Sequence, residues 1–123
     1  ENGDRMSSNP NLLFDGRSFA IFDHELTFMK DLLGRRPPWE PGSLQGGARL
    51  HVLFAGLAGR SYDWSRLEGA WEAISDSWLD SCRAALPGDW QLSQRVADEA
   101  LAYLKELRDN VRPALAEVAR VLS

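Results

Sequence analysis

Asp4, Asn9 and Asp23 have types and spacing that suit chemistry. Asp4 and Asn9 bracket four residues in the run Asn2-Gly3-Asp4-Arg5-Met6-Ser7-Ser8-Asn9, and Asp23 closes Ile21-Phe22-Asp23. Phosphoryl transfer asks few things of a protein. A carboxylate orients and deprotonates the attacking hydroxyl, and oxygen ligands hold Mg²⁺ against the phosphates. An Asp and an Asn in one tight loop can divide those tasks, provided a second carboxylate arrives from another segment to clamp the cation. Mg²⁺ suits such a set because it takes few protein ligands and keeps waters and phosphate oxygens. The same residues also suit structural roles: Asp4 and Asn9 fit turns or caps, and Asp23 fits the N-cap of a helix starting near His24. Residue type alone leaves both readings open.

The elements that must position these residues begin with a hairpin. Asn11-Leu12-Leu13-Phe14 and Ser18-Phe19-Ala20-Ile21-Phe22 are apolar runs separated by Asp15-Gly16-Arg17. Asp-Gly between two such runs predicts a turn, since Gly supplies the positive φ required there. Such a hairpin carries the chain away from the Asp4–Asn9 loop and returns Asp23 beside it. Antiparallel pairing of residues 11–22 is therefore expected to bring Asp23 close to Asn9.

Beyond the hairpin the periodicity becomes helical. Leu26, Met29 and Leu33 share one face, and Gly34 stands at a helix stop. Residues 34–47 contain three prolines and four glycines and read as an irregular connection. Leu50, Leu53, Phe54 and Leu57 form an amphipathic stripe closed by Gly59. Leu67, Trp71, Ile74, Trp78, Cys82 and Leu86 form another, opening after Ser65 or Asp63 and ending at Pro87-Gly88; Ser75 can cap a second helix within it. A third stripe runs Val96, Ala100, Leu104, Leu107, Val111, Leu115, Val118 and Leu122. It survives Pro113, which implies a kinked helix or two helices nearly in line. The expectation is a mostly α protein: one short β-hairpin followed by a helical bundle.

The totals fit one soluble globular domain: 123 residues, 44% apolar and 26% charged. A net charge of −4 argues against general nucleic-acid binding, since no Lys/Arg excess is present to displace counterions. No apolar run reaches membrane-spanning length. The single cysteine, Cys82, excludes an internal disulfide and fits a reducing compartment such as the cytoplasm.

The protein-kinase catalytic loop spaces its Asp and Asn in the same way and is followed by a metal-binding Asp. More closely, Asn2-Gly3-Asp4-Arg5-Met6-Ser7-Ser8-Asn9, Pro10-Asn11-Leu12-Leu13 and Ile21-Phe22-Asp23-His24 resemble the catalytic and metal loops of HipA-like kinases. Asp-Arg followed by Asn at this spacing is also similar to phosphoinositide 3-kinase-like enzymes, within the wider protein kinase fold. The resemblance implies Asp4 as catalytic aspartate, Asn9 and Asp23 as Mg²⁺ ligands, and ATP as phosphate donor to a protein or other hydroxyl acceptor. It implies the helical C-lobe of such a kinase, with residues 1–25 carrying the loops and hairpin and 26–123 the helices. The chain is then expected to be a C-terminal piece, inactive alone. An upstream kinase lobe or a partner chain supplies the ATP-binding half. The metal loop reads Asp23-His24-Glu25, so no Asp-Phe-Gly type of switch is implied.

Two alternatives stand beside this one. A small-molecule phosphotransferase of the aminoglycoside or choline kinase type suits Gly3-Asp4 and Asn9, but Asn2 occupies the place of its histidine. A non-catalytic helical protein-binding module is the other. Elsewhere the expected roles are structural. Trp71, Trp78 and Trp90 fill the core, Cys82 packs on a buried stripe, and His51 sits beside an apolar stripe. Glu99, Lys105, Glu106, Arg108 and Asp109 form a solvated helix face. Arg35-Arg36 reads as a solvated basic pair, and Trp39 lies in a connection outside the core, open to a partner.

Overall fold

The computed structural model describes residues 5–24, 36–44 and 51–123. Asp4, the helix expected over Leu26–Gly34 and the Leu50 end of the next stripe lie outside the described residues. The described chain runs β1 (Leu12–Phe14), β2 (Phe19–Ile21), α1 (Val52–Ala55), α2 (Ser65–Glu72), α3 (Asp76–Ala84), α4 (Gln91–Asp109) and α5 (Val111–Leu122). It is mostly α, with one two-stranded antiparallel sheet. No described helix is long and apolar enough to cross a membrane.

The hairpin pairs Leu12 with Ile21, Leu13 with Ala20 and Phe14 with Phe19. Its turn is built by Asp15, whose Oδ1 accepts from the backbone N–H groups of Arg17 (2.8 Å) and Ser18 (2.7 Å). Those two bonds hold the Asp15 carboxyl below its ordinary pKa. Gly16 supplies φ +91°, a value that L side chains rarely adopt.

The helices end where local chemistry ends them. His51 caps α1, its Nδ1 accepting from Leu53 N–H at 3.3 Å; burial lowers its pKa, and the nearby Arg5 charge adds to that. Asp63 Oδ1 accepts from Ser65 N–H at the start of α2, and Ser75 caps α3 through Trp78 N–H at 3.1 Å. The stripe containing Ser75 is thus two helices. The α4–α5 boundary falls at Asn110, before Pro113. Pro113 occupies the first turn of α5, where no N–H is required, but its ring and missing donor forbid a continuous helix through Asp109.

α3 and α4 run antiparallel, cross-linked by Arg83–Asp98, Lys105–Asp80 and Arg108–Asp76. Arg112 of α5 pairs with Glu68 of α2. The expected solvated face of α4 is therefore corrected: Lys105 and Arg108 bridge to α3, and Arg108 also donates to the carbonyl of Ile74. Trp78 and Trp90 are corrected too, being 57% and 54% exposed, and Cys82 is exposed. The cause is the break at Ser75. It resets the helical phase, so α3 buries Leu79, at 2% exposure, rather than the Trp78–Cys82 side. The described apolar core is Leu44, Leu79, Val111, Ala114 and Leu122.

Residues 36–44 also differ from expectation, because this connection is docked. Trp39 is half-buried with its ring 5.6 Å from that of Tyr103. Leu44 donates its N–H to Glu117 Oε1 (3.0 Å), and its carbonyl accepts from Arg120 Nη2 (2.6 Å). Arg36 is exposed and pairs with Glu40 at 2.9 Å.

Candidate functional site

The site is built on Arg5. Its neighbours Met6 to Asn9 form a tight turn, closed by a bond from Asn9 N–H to the Met6 carbonyl at 3.0 Å. The Arg5 carbonyl accepts from Val52 N–H at 2.9 Å, fixing the turn to the start of α1. The Arg5 side chain is 4% exposed, and its guanidinium donates to three backbone carbonyls. Nη1 reaches Pro10 (3.3 Å) and Asn11, and Nη2 reaches Phe22 at 3.4 Å. Asn11 precedes β1 and Phe22 follows β2, so a single planar fork grips both ends of the hairpin.

The backbone is unusual at this base. Asn11 has φ +44° and Asp23 φ +56°, and among the described residues they are the only non-glycine positions with positive φ. Asn and Asp tolerate the left-handed region better than other L residues, since their short polar chains bond locally. Here they bond each other: Asn11 Nδ2 donates to Asp23 Oδ2 at 3.2 Å. Asn11 is buried, and Asp23 is exposed.

Asn9, expected to hold the metal with Asp23, is exposed two residues before Asn11. The structure thus joins Asp23 to Asn11 and sets Asn9 in the adjoining turn. Asp4, the expected catalytic aspartate, lies outside the described residues. Residue reading missed Arg5 and Asn11. Arg5 acts through carbonyls, which no side-chain pattern reveals; Asn11 stands at the head of the first apolar run and within the Pro10-Asn11-Leu12-Leu13 segment, where its residue type assigns it no role of its own.

The donor set of Asn9, Asn11 and Asp23 is amide and carboxylate oxygen. That chemistry fits Mg²⁺, which needs only one or two protein oxygens when phosphates complete its shell. A carboxylate offers about four lone-pair positions, so the bond from Asn11 orients Asp23 without exhausting it. Among the described residues no group of three His, Cys, Asp or Glu side chains gathers to hold a metal alone. No family model, curated protein or solved structure matches this chain.

Proposed function

We propose that this chain is the helical C-lobe of a HipA-like ATP-dependent kinase, transferring the ATP γ-phosphate to a protein or other hydroxyl acceptor. The observation that supports it is the fixed base of the hairpin. Arg5 ties the Asn9 turn to both strand ends, where Asn11 and Asp23 hold the left-handed backbone and each other. Strained backbone over-determined by its surroundings is a mark of functional sites.

In this reading Asp4 orients the acceptor hydroxyl and takes its proton as the acceptor oxygen bonds the γ-phosphorus and the bond from that phosphorus to the departing ADP oxygen breaks. Asn9 and Asp23 are the residues that would hold Mg²⁺, which when bound neutralises charge on the phosphate oxygens. Asn11 is a positioning residue that aims the Asp23 carboxylate. The ATP-binding half comes from an upstream lobe or a partner chain.

The test is radiolabelled phosphate transfer with ATP titration, on this chain alone and joined to that half. The chain alone should lack turnover, because positioning supplies most of the catalysis in phosphoryl transfer. In the joined protein Asp4→Ala should lower transfer by about 10²–10⁴-fold while keeping ATP affinity. Asp23→Ala should also weaken Mg·ATP binding. Full activity in Asp4→Ala overturns the assignment. It would favour the second reading, a non-catalytic helical binding module, which draws its support from the exposure of Trp78 and Trp90.

A further inference from the structure

His51 stands at the junction between the hairpin segment and the helices. Its backbone bridges antiparallel to Met6, and the next amide, Val52 N–H, donates to the Arg5 carbonyl at 2.9 Å. Among the described residues this is the hydrogen bond that joins residues 5–24 to a helix. The His51 side chain caps the same helix, its Nδ1 accepting from Leu53 N–H at 3.3 Å. The ring lies 5.0 Å from that of Phe54, and the residue is 7% exposed.

That cap requires a neutral imidazole. A ring nitrogen that accepts a hydrogen bond carries no proton, so the single proton sits on Nε2. A second proton, on Nδ1, turns the acceptor into a donor facing the Leu53 N–H. It also places an imidazolium where water barely reaches, with the buried Arg5 guanidinium adding a like charge. Among the described residues no carboxylate pairs with His51 to offset it. We propose that His51 is a pH-operated latch: neutral, it holds residues 5–24 to α1, and in mild acid it takes up a proton, leaves its site and releases them. The charged ring regains water by swinging out of the junction. Leu53 then loses its acceptor, and the first turn of α1, which presents Val52 N–H to Arg5, loses its cap.

The direction follows from linkage. In the closed form burial, with the Arg5 charge added, holds the His51 pKa below its ordinary 6.5. An open form returns the ring to water and to that ordinary value, so it binds the proton more tightly. The latch is strongest above about pH 6.5 and weakens as pH falls toward the closed-form value. Asp15, Asp63, Asp76, Asp98 and Glu117 all titrate below their ordinary values, so their caps and ion pairs hold through that window. The inference does not rest on the kinase reading.

The experiment is NMR on the intact chain from about pH 7.5 to about pH 5, a span that brackets histidine titration. Ring nitrogen shifts should show His51 with its proton on Nε2 and a pKa below 6.5. Hydrogen exchange, corrected for the intrinsic rate at each pH, reads the opening of the Val52 and Leu53 amides. Their opening constant should rise by up to about tenfold per pH unit as the solution is acidified, while the α4 and α5 amides keep theirs. His51→Asn retains a capping oxygen but does not titrate, so its opening constants should be flat with pH. His24→Asn should keep the slope of the unaltered chain. A His51 pKa at or above 6.5, or a lone proton on Nδ1, overturns the proposal whether or not His51→Asn folds. A flat opening constant in the unaltered chain, a slope shared by α4 and α5, or one that survives in His51→Asn overturns it as well.

Discussion

Glu117 is 5% exposed on α5, yet it carries its charge between two opposite obligations. Its carboxylate accepts from Arg120 and from the backbone of Leu44, while Arg120 donates to the Leu44 carbonyl. One residue of the 36–44 segment is thus held at both its N–H and its C=O. The Arg120 bond, helped by the backbone donors and opposed by desolvation, lowers the Glu117 pKa from 4.5 to about 2. A carboxyl depressed on folding contributes stability that is fully present above its unfolded pKa and lost as pH falls through the folded one. The chain should therefore lose this contribution between about pH 4.5 and about pH 2. Urea melts on the intact protein and Glu117→Gln across that window should show it. The variant is less stable at neutral pH, and the gap closes in acid. A gap that stays constant with pH would mean the clamp is not ionic. None of this was legible in residue types, since Glu117 and Arg120 look like an ordinary surface pair and their third partner is backbone. Arg5 hid for the same reason: three carbonyls receive it, and carbonyls carry no sequence identity.

At the scale of elements, turn and cap chemistry was readable and phase was not. Asp15-Gly16 marked the hairpin turn and Ser75 marked a helix start, each through a local bond its side chain can make alone. The break at Asn110 followed from Pro113 by one turn of helix. What failed was carrying one apolar stripe across Ser75. Ile74, Trp78 and Cys82 keep helical spacing on paper, but a break between α2 and α3 rotates the face that packs, and Leu79 takes the interior. Leu79→Ala should accordingly cost about 2–5 kcal/mol, the usual loss for a buried leucine. Trp78→Ala should stay within about 0.5 kcal/mol, as exposed substitutions do. Chemical denaturation of both variants decides the register of α3. A larger loss at Trp78 would restore the continuous stripe and move Leu79 to the surface.

The whole molecule divides its apolar residues unevenly. Val111, Ala114 and Leu122 are buried along α5, whereas Leu13, Phe14, Phe19, Ile21 and Phe22 are all more than 45% exposed on the hairpin. A two-stranded hairpin in water is marginal without a covered face. What anchors this one is polar: the Arg5 fork at its base and the bond from Val52 N–H to the Arg5 carbonyl. Regions poor in buried apolar contact open locally at low free energy, and packed helices open near the global limit. In native-state hydrogen exchange on dilute protein, the amides of α4 and α5 should therefore exchange slowest. Within the hairpin the bonded pairs are Asn11:Phe22, Leu13:Ala20 and Asp15:Ser18, so the inward donors of Leu13, Ala20 and Phe22 should exchange faster than those helices but slower than the outward donors of Phe19 and Ile21. The outward donors of Leu12 and Phe14, on the opposite edge, should exchange as fast as those of Phe19 and Ile21. Protection of all four outward amides in dilute protein would mean that both edges are already covered within one chain. The Arg5 fork would then be one support among several.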